Sequence, residues 1–385
     1  MQETTTWADQ TSAFVWDRPT VPESWENTSF IDGETKGNTN GQSLLEAFLD
    51  IPDHSSRSNY ELSVFNQIFE SDRLEKISDG DYEDTKGLTV WIHDRNITTG
   101  ETRPYNGPIV TKKFDEVLKR ERLSDPELTD VHIRRMYLPN PYPSTLGVLA
   151  LSSSQQHRVM IREMIYKHLK GDTSLSVEFG LAGRTFTFES HIPFFVLKTS
   201  TAAKMDNRMN SKSKPLRKTH DLSFLSRSRN RLHNDTTAAA LHECHTSMVI
   251  TGWNLNFWTA WCLNDTYYYD DDGNDCCNED MLLYYVKPDK NDDDNDDDDS
   301  GHDLDPLSIG NLSANGTSPE DPREYFLLIL KFRMQKYKEE WANILHYVND
   351  SVSHSWILIS HSYERKQPWE ILMTTLKRSK MMKLG

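Results

Sequence analysis

The sequence predicts an α/β (α+β) fold, with a mixed central sheet flanked by helices and followed by long C-terminal helices. Alternation of Leu175, Val177 and Phe179 in "TSLSVEFGLAGRTFTFES" predicts a β-hairpin. The stretch "TSMVITGWNLNFWTAWCLNDTYY" predicts one or two buried strands. Apolar residues repeat at spacings of three and four between residues 319 and 349, which is typical of a long helix. With 36% hydrophobic residues in 385, the chain can bury a sizeable core.

The elements before the hairpin follow from local pattern. "SLLEAFL" and "YELSVFNQIF" are short helical candidates, and "GLTVWIHD" alternates as a strand does. "PSTLGVLALSSSQQHRVMIREMIYKHL" predicts one helix with Ser144 as a plausible cap. After the hairpin, "HIPFFVLKT" continues through a proline, which predicts an edge or a bulge.

The C-terminal helix has the clearest start signal. In "SPEDPREYF", Ser318 is the predicted cap and Pro319 the first helical residue. The apolar row behind it predicts a helix that packs either on its own domain or on a partner helix, so we expect a homo-oligomer or a helical partner through 319–349. The row consists of Leu327, Leu330, Met334, Tyr337, Trp341, Ile344 and Val348. A second helix, "WEILMTTLKRSKMM", is predicted to close the chain.

Composition divides the chain into four segments. Residues 1–42 predict a disordered arm, and 43–269 an α/β domain that contains a basic loop at 199–236. Residues 270–318 are an acidic low-complexity insertion, and 319–385 are a C-terminal helical segment.

The net charge of −16 belongs mainly to one segment. Between Asp265 and Asp305 there are 17 acidic residues against two lysines, a net of −15. The rest of the chain is therefore nearly neutral. The N-terminus lacks the pattern of a signal peptide, no apolar run approaches the ~20 residues of a membrane span, and four cysteines make no disulfide framework. These features predict a cytoplasmic protein.

The acidic residues that follow the last aromatic strand are candidate metal ligands. Placing Gly273 at position 6 of an EF-hand loop puts Asp270, Asp272 and Glu279 at ligand positions, but Tyr268 falls at position 1. A true EF-hand is therefore not expected. Asp265, Asp270, Asp272 and Glu279 remain candidates for weak binding of Mg²⁺, and the alternative is a solvated acidic loop.

Other polar clusters predict no chemistry. His242, Cys244 and His245 could hold zinc only with a further ligand, so incidental residues of a strand edge or helix terminus are the favoured interpretation. Nine Lys or Arg lie between Lys204 and Arg231, but Phe224 is the only aromatic residue among them, and no nucleic acid is expected. The familiar catalytic and nucleotide-binding motifs are absent, so no enzyme and no catalytic residue is predicted.

Several ordered stretches resemble the fungal branch of the CorA-like magnesium transporter family. They are "RRMYLPNP", "FTFESHIPFFVLKT", "DLSFL", "MVITGWNLNFWTAWCLNDTY" and "REYFLLILKFRMQKYKEEW". The resemblance covers roughly residues 130–350, the region that precedes the membrane helices in that family. It implies an α/β domain followed by long helices, assembly into a ring, and acidic residues that sense magnesium.

The sequence departs from that family at the pore. It has no transmembrane helix and no Gly-Met-Asn signature, since "RMN" at 208–210 lies in the basic loop. The expected function is therefore a non-catalytic binding or regulatory domain, acting in divalent-cation sensing or assembly and not transport-competent alone. The alternatives are an electrostatic protein-interaction module and a fragment of a full-length metal ion transporter. Membrane association would come through a partner or a missing C-terminal segment.

Overall fold

The computed structural model describes most of the predicted α/β region and the long C-terminal helix. The described ranges are 43–49, 62–66, 68–69, 73–82, 90–105, 107–154, 157–179, 185–200, 203–209, 213–226, 238–268, 305–308 and 319–365. The predicted arm 1–42, the metal candidates Asp270, Asp272 and Glu279, and the predicted helix "WEILMTTLKRSKMM" lie outside them.

Eight strands form a mixed sheet, as the sequence predicts. Seven of them follow the order β2-β1-β3-β8-β7-β5-β4. β3 pairs with β8 in parallel over seven residue pairs, whereas β1 with β2, β1 with β3, β4 with β5, and β7 with β8 pair antiparallel. The strands are β1 (Val90–Arg95), β2 (Gly107–Ile109), β3 (Ile133–Pro139), β4 (Ser174–Phe179), β5 (Phe186–Ser200), β6 (Thr219–Asp221), β7 (Ala238–Gly252) and β8 (Trp258–Asn264).

The helices also agree with the predicted arrangement of a sheet flanked by helices and followed by a long C-terminal helix. Short helices precede the sheet, two longer ones lie between β3 and β4, and a helix of 44 residues follows the last strand. They are α1 (Leu44–Leu49), α2 (Leu62–Phe65), α3 (Arg73–Ser78), α4 (Thr111–Leu118), α5 (Pro143–Leu151), α6 (Arg158–Lys170), α7 (Ser223–Ser226) and α8 (Pro322–Arg365).

Packing divides the chain into two units. The first consists of Met1–Phe194, Met205–Lys218 and Glu243–Tyr337, and the second of Phe195–Lys204, Thr219–His242 and Lys338–Gly385. In the second unit, β6 pairs with residues 240–242 of β7.

The first unit buries both faces of its sheet. Alternation along the central strands sends Met136 and Trp261 to a core shared with α1 to α6, and sends Tyr137 and Cys262 to the opposite core. The opposite core is closed by the start of α8, through Tyr325, Phe326 and Ile329. Because both faces of the sheet are buried, nearly every side chain of β3 and β8 is either apolar or a polar group with a partner inside the protein.

The long helix predicted from Pro143 is in fact two helices. α5 ends at Leu151 and α6 begins at Arg158, and Ser144 is an interior residue of α5 rather than its cap. The break falls at the serines between them, where Ser153 Oγ donates to the carbonyl of Ala150 at 2.6 Å. Serine side chains compete with the backbone for such bonds, which favours a helix end.

The start of α8 is three residues later than predicted. Pro319 precedes the helix, and Pro322 is its first residue. Asp321 acts as the cap because its Oδ1 accepts the backbone N–H of Arg323 at 2.8 Å. In the sequence "SPEDPRE", the second proline, Pro322, is therefore the first helical residue, and the first proline is not.

Four residues of the predicted acidic insertion are packed. Asp305 and Leu307 are buried, and Asp305 Oδ2 accepts the hydroxyl of Tyr325 at 2.7 Å. Arg333 Nε donates to the carbonyl of Leu307 at 3.0 Å. Residues 305–308 thus belong to the folded body of the first unit.

Candidate functional site

The outward face of α8 is the strongest candidate site in the described chain. In the second unit it carries Trp341, Leu345, Val348 and Val352, which are 47%, 65%, 37% and 44% exposed. Their spacings of four, three and four place them on one face of the helix. We call these four residues the outer row. Large apolar side chains grouped in this way typically mark an interaction surface.

The inner face of the same helix segment is buried. Glu340, Ile344 and Ser351 are 6%, 8% and 2% exposed. Within the second unit, the ring of Trp341 meets Phe195 of β5 edge to face, with centroids 5.9 Å apart. The outer row therefore borders the buried face of the helix, and its first member, Trp341, packs partly on the chain's own fold.

The apolar repeat that was predicted as one row contains both buried and exposed residues. Its members Tyr337 and Ile344 are 6% and 8% exposed, whereas Trp341 and Val348 lie outward. In the first unit, Leu327 and Met334 are likewise 63% and 50% exposed. The repeat thus combines residues that are buried in the chain's own fold with residues that are partly exposed, so packing on its own domain does not account for all of it.

Asp265, a predicted metal ligand, lies at the end of β8 in a completely buried charge network. Its Oδ1 accepts Arg208 Nη1 at 2.7 Å, and its Oδ2 accepts Arg217 Nε at 2.5 Å. The backbone N–H of His245 also donates to Oδ2, at 2.8 Å. Burial alone would raise the pKa of Asp265, but the two guanidinium groups outweigh burial and hold that pKa well below its usual value.

A second carboxylate completes this network. Asp206 accepts Arg208 Nε and Nη2 at 2.9 and 2.8 Å, together with the backbone N–H of Arg217 at 3.1 Å. Two buried aspartates and two buried arginines therefore balance in charge, as burial requires. Arg217 also donates to the carbonyl of His168 at the C-terminal end of α6, at 2.6 Å. The network fastens Asp206, Arg208 and Arg217 to the ends of α6 and β8.

Three buried histidines adjoin the network. His168 Nδ1 and His191 Nδ1 lie 3.2 and 2.9 Å from Ser247 Oγ, and the ring centroid of His245 is 5.2 Å from that of His168. Within the described part of the chain, neither ring nitrogen of His245 has a hydrogen-bond partner. Burial lowers the pKa of His168 to about 4 and that of His245 to about 2, so both rings are neutral at pH 7.

These groups do not form a metal centre among the described residues, where no three His, Cys, Asp or Glu side chains are grouped to hold an ion. His242, Cys244 and His245 lie along β7, where adjacent side chains point to opposite faces. Burial raises the pKa of Cys244 well above its usual value, which keeps it a thiol. Metal binding by Asp265 stays a prediction, and the structure gives its oxygens two arginines as partners.

Sequence reasoning missed the residues of this network. Arg208 and Arg217 belong to the predicted basic loop, for which the sequence predicted no buried ion pair. Their partner Asp265 is 57 and 48 residues away along the chain. The available signal was the pair of acidic residues, Asp206 and Asp221, inside an otherwise basic stretch, but it does not identify which charges are buried.

Comparison of the chain with protein-family models, curated proteins and solved structures gives no match. Within the described residues, no helix combines the length and apolar character needed to cross a membrane.

Proposed function

We propose that this chain is a non-catalytic binding domain that assembles with a helical partner through the outer row of α8. The observation that carries the proposal is the exposure of Trp341, Leu345, Val348 and Val352 on one face of a helix. Exposure of single apolar residues is ordinary, but four at consecutive seam positions match the repeat by which helices pair.

The proposal also relates the chain to the cytosolic part of CorA-like magnesium transporters. The mixed sheet followed by a long helix supports that relation, because the resemblance implies the same order of parts. A fold alone does not define a function. Assembly is therefore proposed from the helix surface, and transport by this chain alone is not proposed.

Light scattering coupled to size-exclusion chromatography tests assembly. The molar mass of the wild type is expected to rise above that of one chain between about 5 and 300 μM, since weak interfaces associate in this range. Leu345→Glu should keep the chain monomeric, because it places a charge in the centre of the row. Asn343→Glu adds the same charge at an exposed position off the row and should leave assembly intact. A wild type that stays monomeric throughout contradicts self-assembly through the outer row.

Divalent-cation sensing stays a prediction from the sequence. Asp265 is held by arginines, while Asp270, Asp272 and Glu279 lie outside the described residues. The prediction requires millimolar Mg²⁺ to change the melting temperature or the molar mass relative to EDTA. Equal values in both conditions would remove sensing from the proposed function.

A further inference from the structure

We draw no further inference here: the strongest candidate, the cluster of buried histidines His168, His191 and His245 around Ser247, belongs to the charge network already described beside Asp265, and nothing among the described residues gives a ligand access to its ring nitrogens.

Discussion

At the scale of single residues, the chain depends on charges that the solvent does not reach. Arg208 donates to both Asp206 and Asp265, and all three side chains are fully buried. A buried ion network is weak evidence for net stabilisation, because desolvation opposes the Coulomb attraction. Breaking it is costly, however, since an uncompensated charge is left in the interior. The basic segment that contains Arg208 is therefore a structural part of the first unit.

Replacing Arg208 should reveal that role. Arg208→Met leaves Asp206 and Asp265 without their shared cation and is expected to lower the free energy of unfolding by about 3–5 kcal/mol. Lys218→Met removes an exposed charge from the same segment and should change that free energy by less than ~0.5 kcal/mol. Urea unfolding followed by fluorescence measures both. Equal stability of the two variants would mean that the network is not buried in solution.

Acidification should unfold the protein through its buried histidines. The folded-state pKa values of His168, His157 and His245 are lowered by burial to about 4, about 3 and about 2. Near pH 6.5 and below, the unfolded chain takes up protons that the folded chain does not, so stability falls as pH falls through that range. Each such histidine contributes about 1.4 kcal/mol per pH unit.

The substitution His245→Leu measures how much one of these histidines contributes to the pH dependence of stability. Because neither ring nitrogen of His245 has a hydrogen-bond partner among the described residues, the substitution removes no such bond. The slope of unfolding free energy between pH 6 and 4 should become shallower by about 1.4 kcal/mol per pH unit, with equal or higher stability at pH 7. The measurement is a series of urea titrations at fixed ionic strength. An unchanged slope would show that His245 titrates normally in the folded chain.

At the scale of elements, close contacts at the turn between β7 and β8 leave no room for a side chain at position 252. Gly252 ends β7 opposite Trp258, the first residue of β8. A Cβ at this position would lie 2.6 Å from the Cβ of Trp258 and 2.7 Å from the carbonyl oxygen of Phe257. Backbone at that distance cannot yield as the end of a flexible side chain can. The glycine is needed for the approach of two buried strands.

Gly252→Ala should therefore destabilise the protein by about 2–3 kcal/mol. The loss arises from overlap with Trp258 and Phe257, without a change in the preferred backbone conformation. Asn256→Ala lies in the same turn with its side chain exposed, and its expected effect is within ~0.5 kcal/mol. Thermal unfolding by circular dichroism compares the two. A Gly252→Ala protein as stable as the wild type would indicate that the turn relaxes freely.

At the scale of the whole molecule, the proposed assembly through α8 predicts that stability depends on protein concentration. Association that involves only folded chains stabilises the folded state by mass action. The melting temperature of the wild type should therefore rise with protein concentration, and that of Leu345→Glu should not. Differential scanning calorimetry from about 5 to 300 μM makes the comparison. A concentration-independent wild type would agree with a monomer and contradict assembly through the outer row.

The sequence by itself determined the mixed α/β class, the hairpin of β4 and β5, the strands β7 and β8, and the existence of a long C-terminal helix. These follow from local periodicity, because alternation and the spacing of three and four act between near neighbours in the chain. Helix ends were less well determined. The same patterns that predicted a single helix from Pro143 contain the serines at which it ends.

Only the tertiary structure decided how the charges and the apolar row are used. Asp265 follows a strand and precedes an acidic segment, so its sequence context suggested a cation ligand. Its actual partners, Arg208 and Arg217, come from a distant segment that chain folding brings to the end of β8. The row of α8 was visible in the sequence, but periodicity records only that residues share a helix face. Burial of Ile344 and exposure of Leu345 depend on what packs against that face, which is a property of the folded chain.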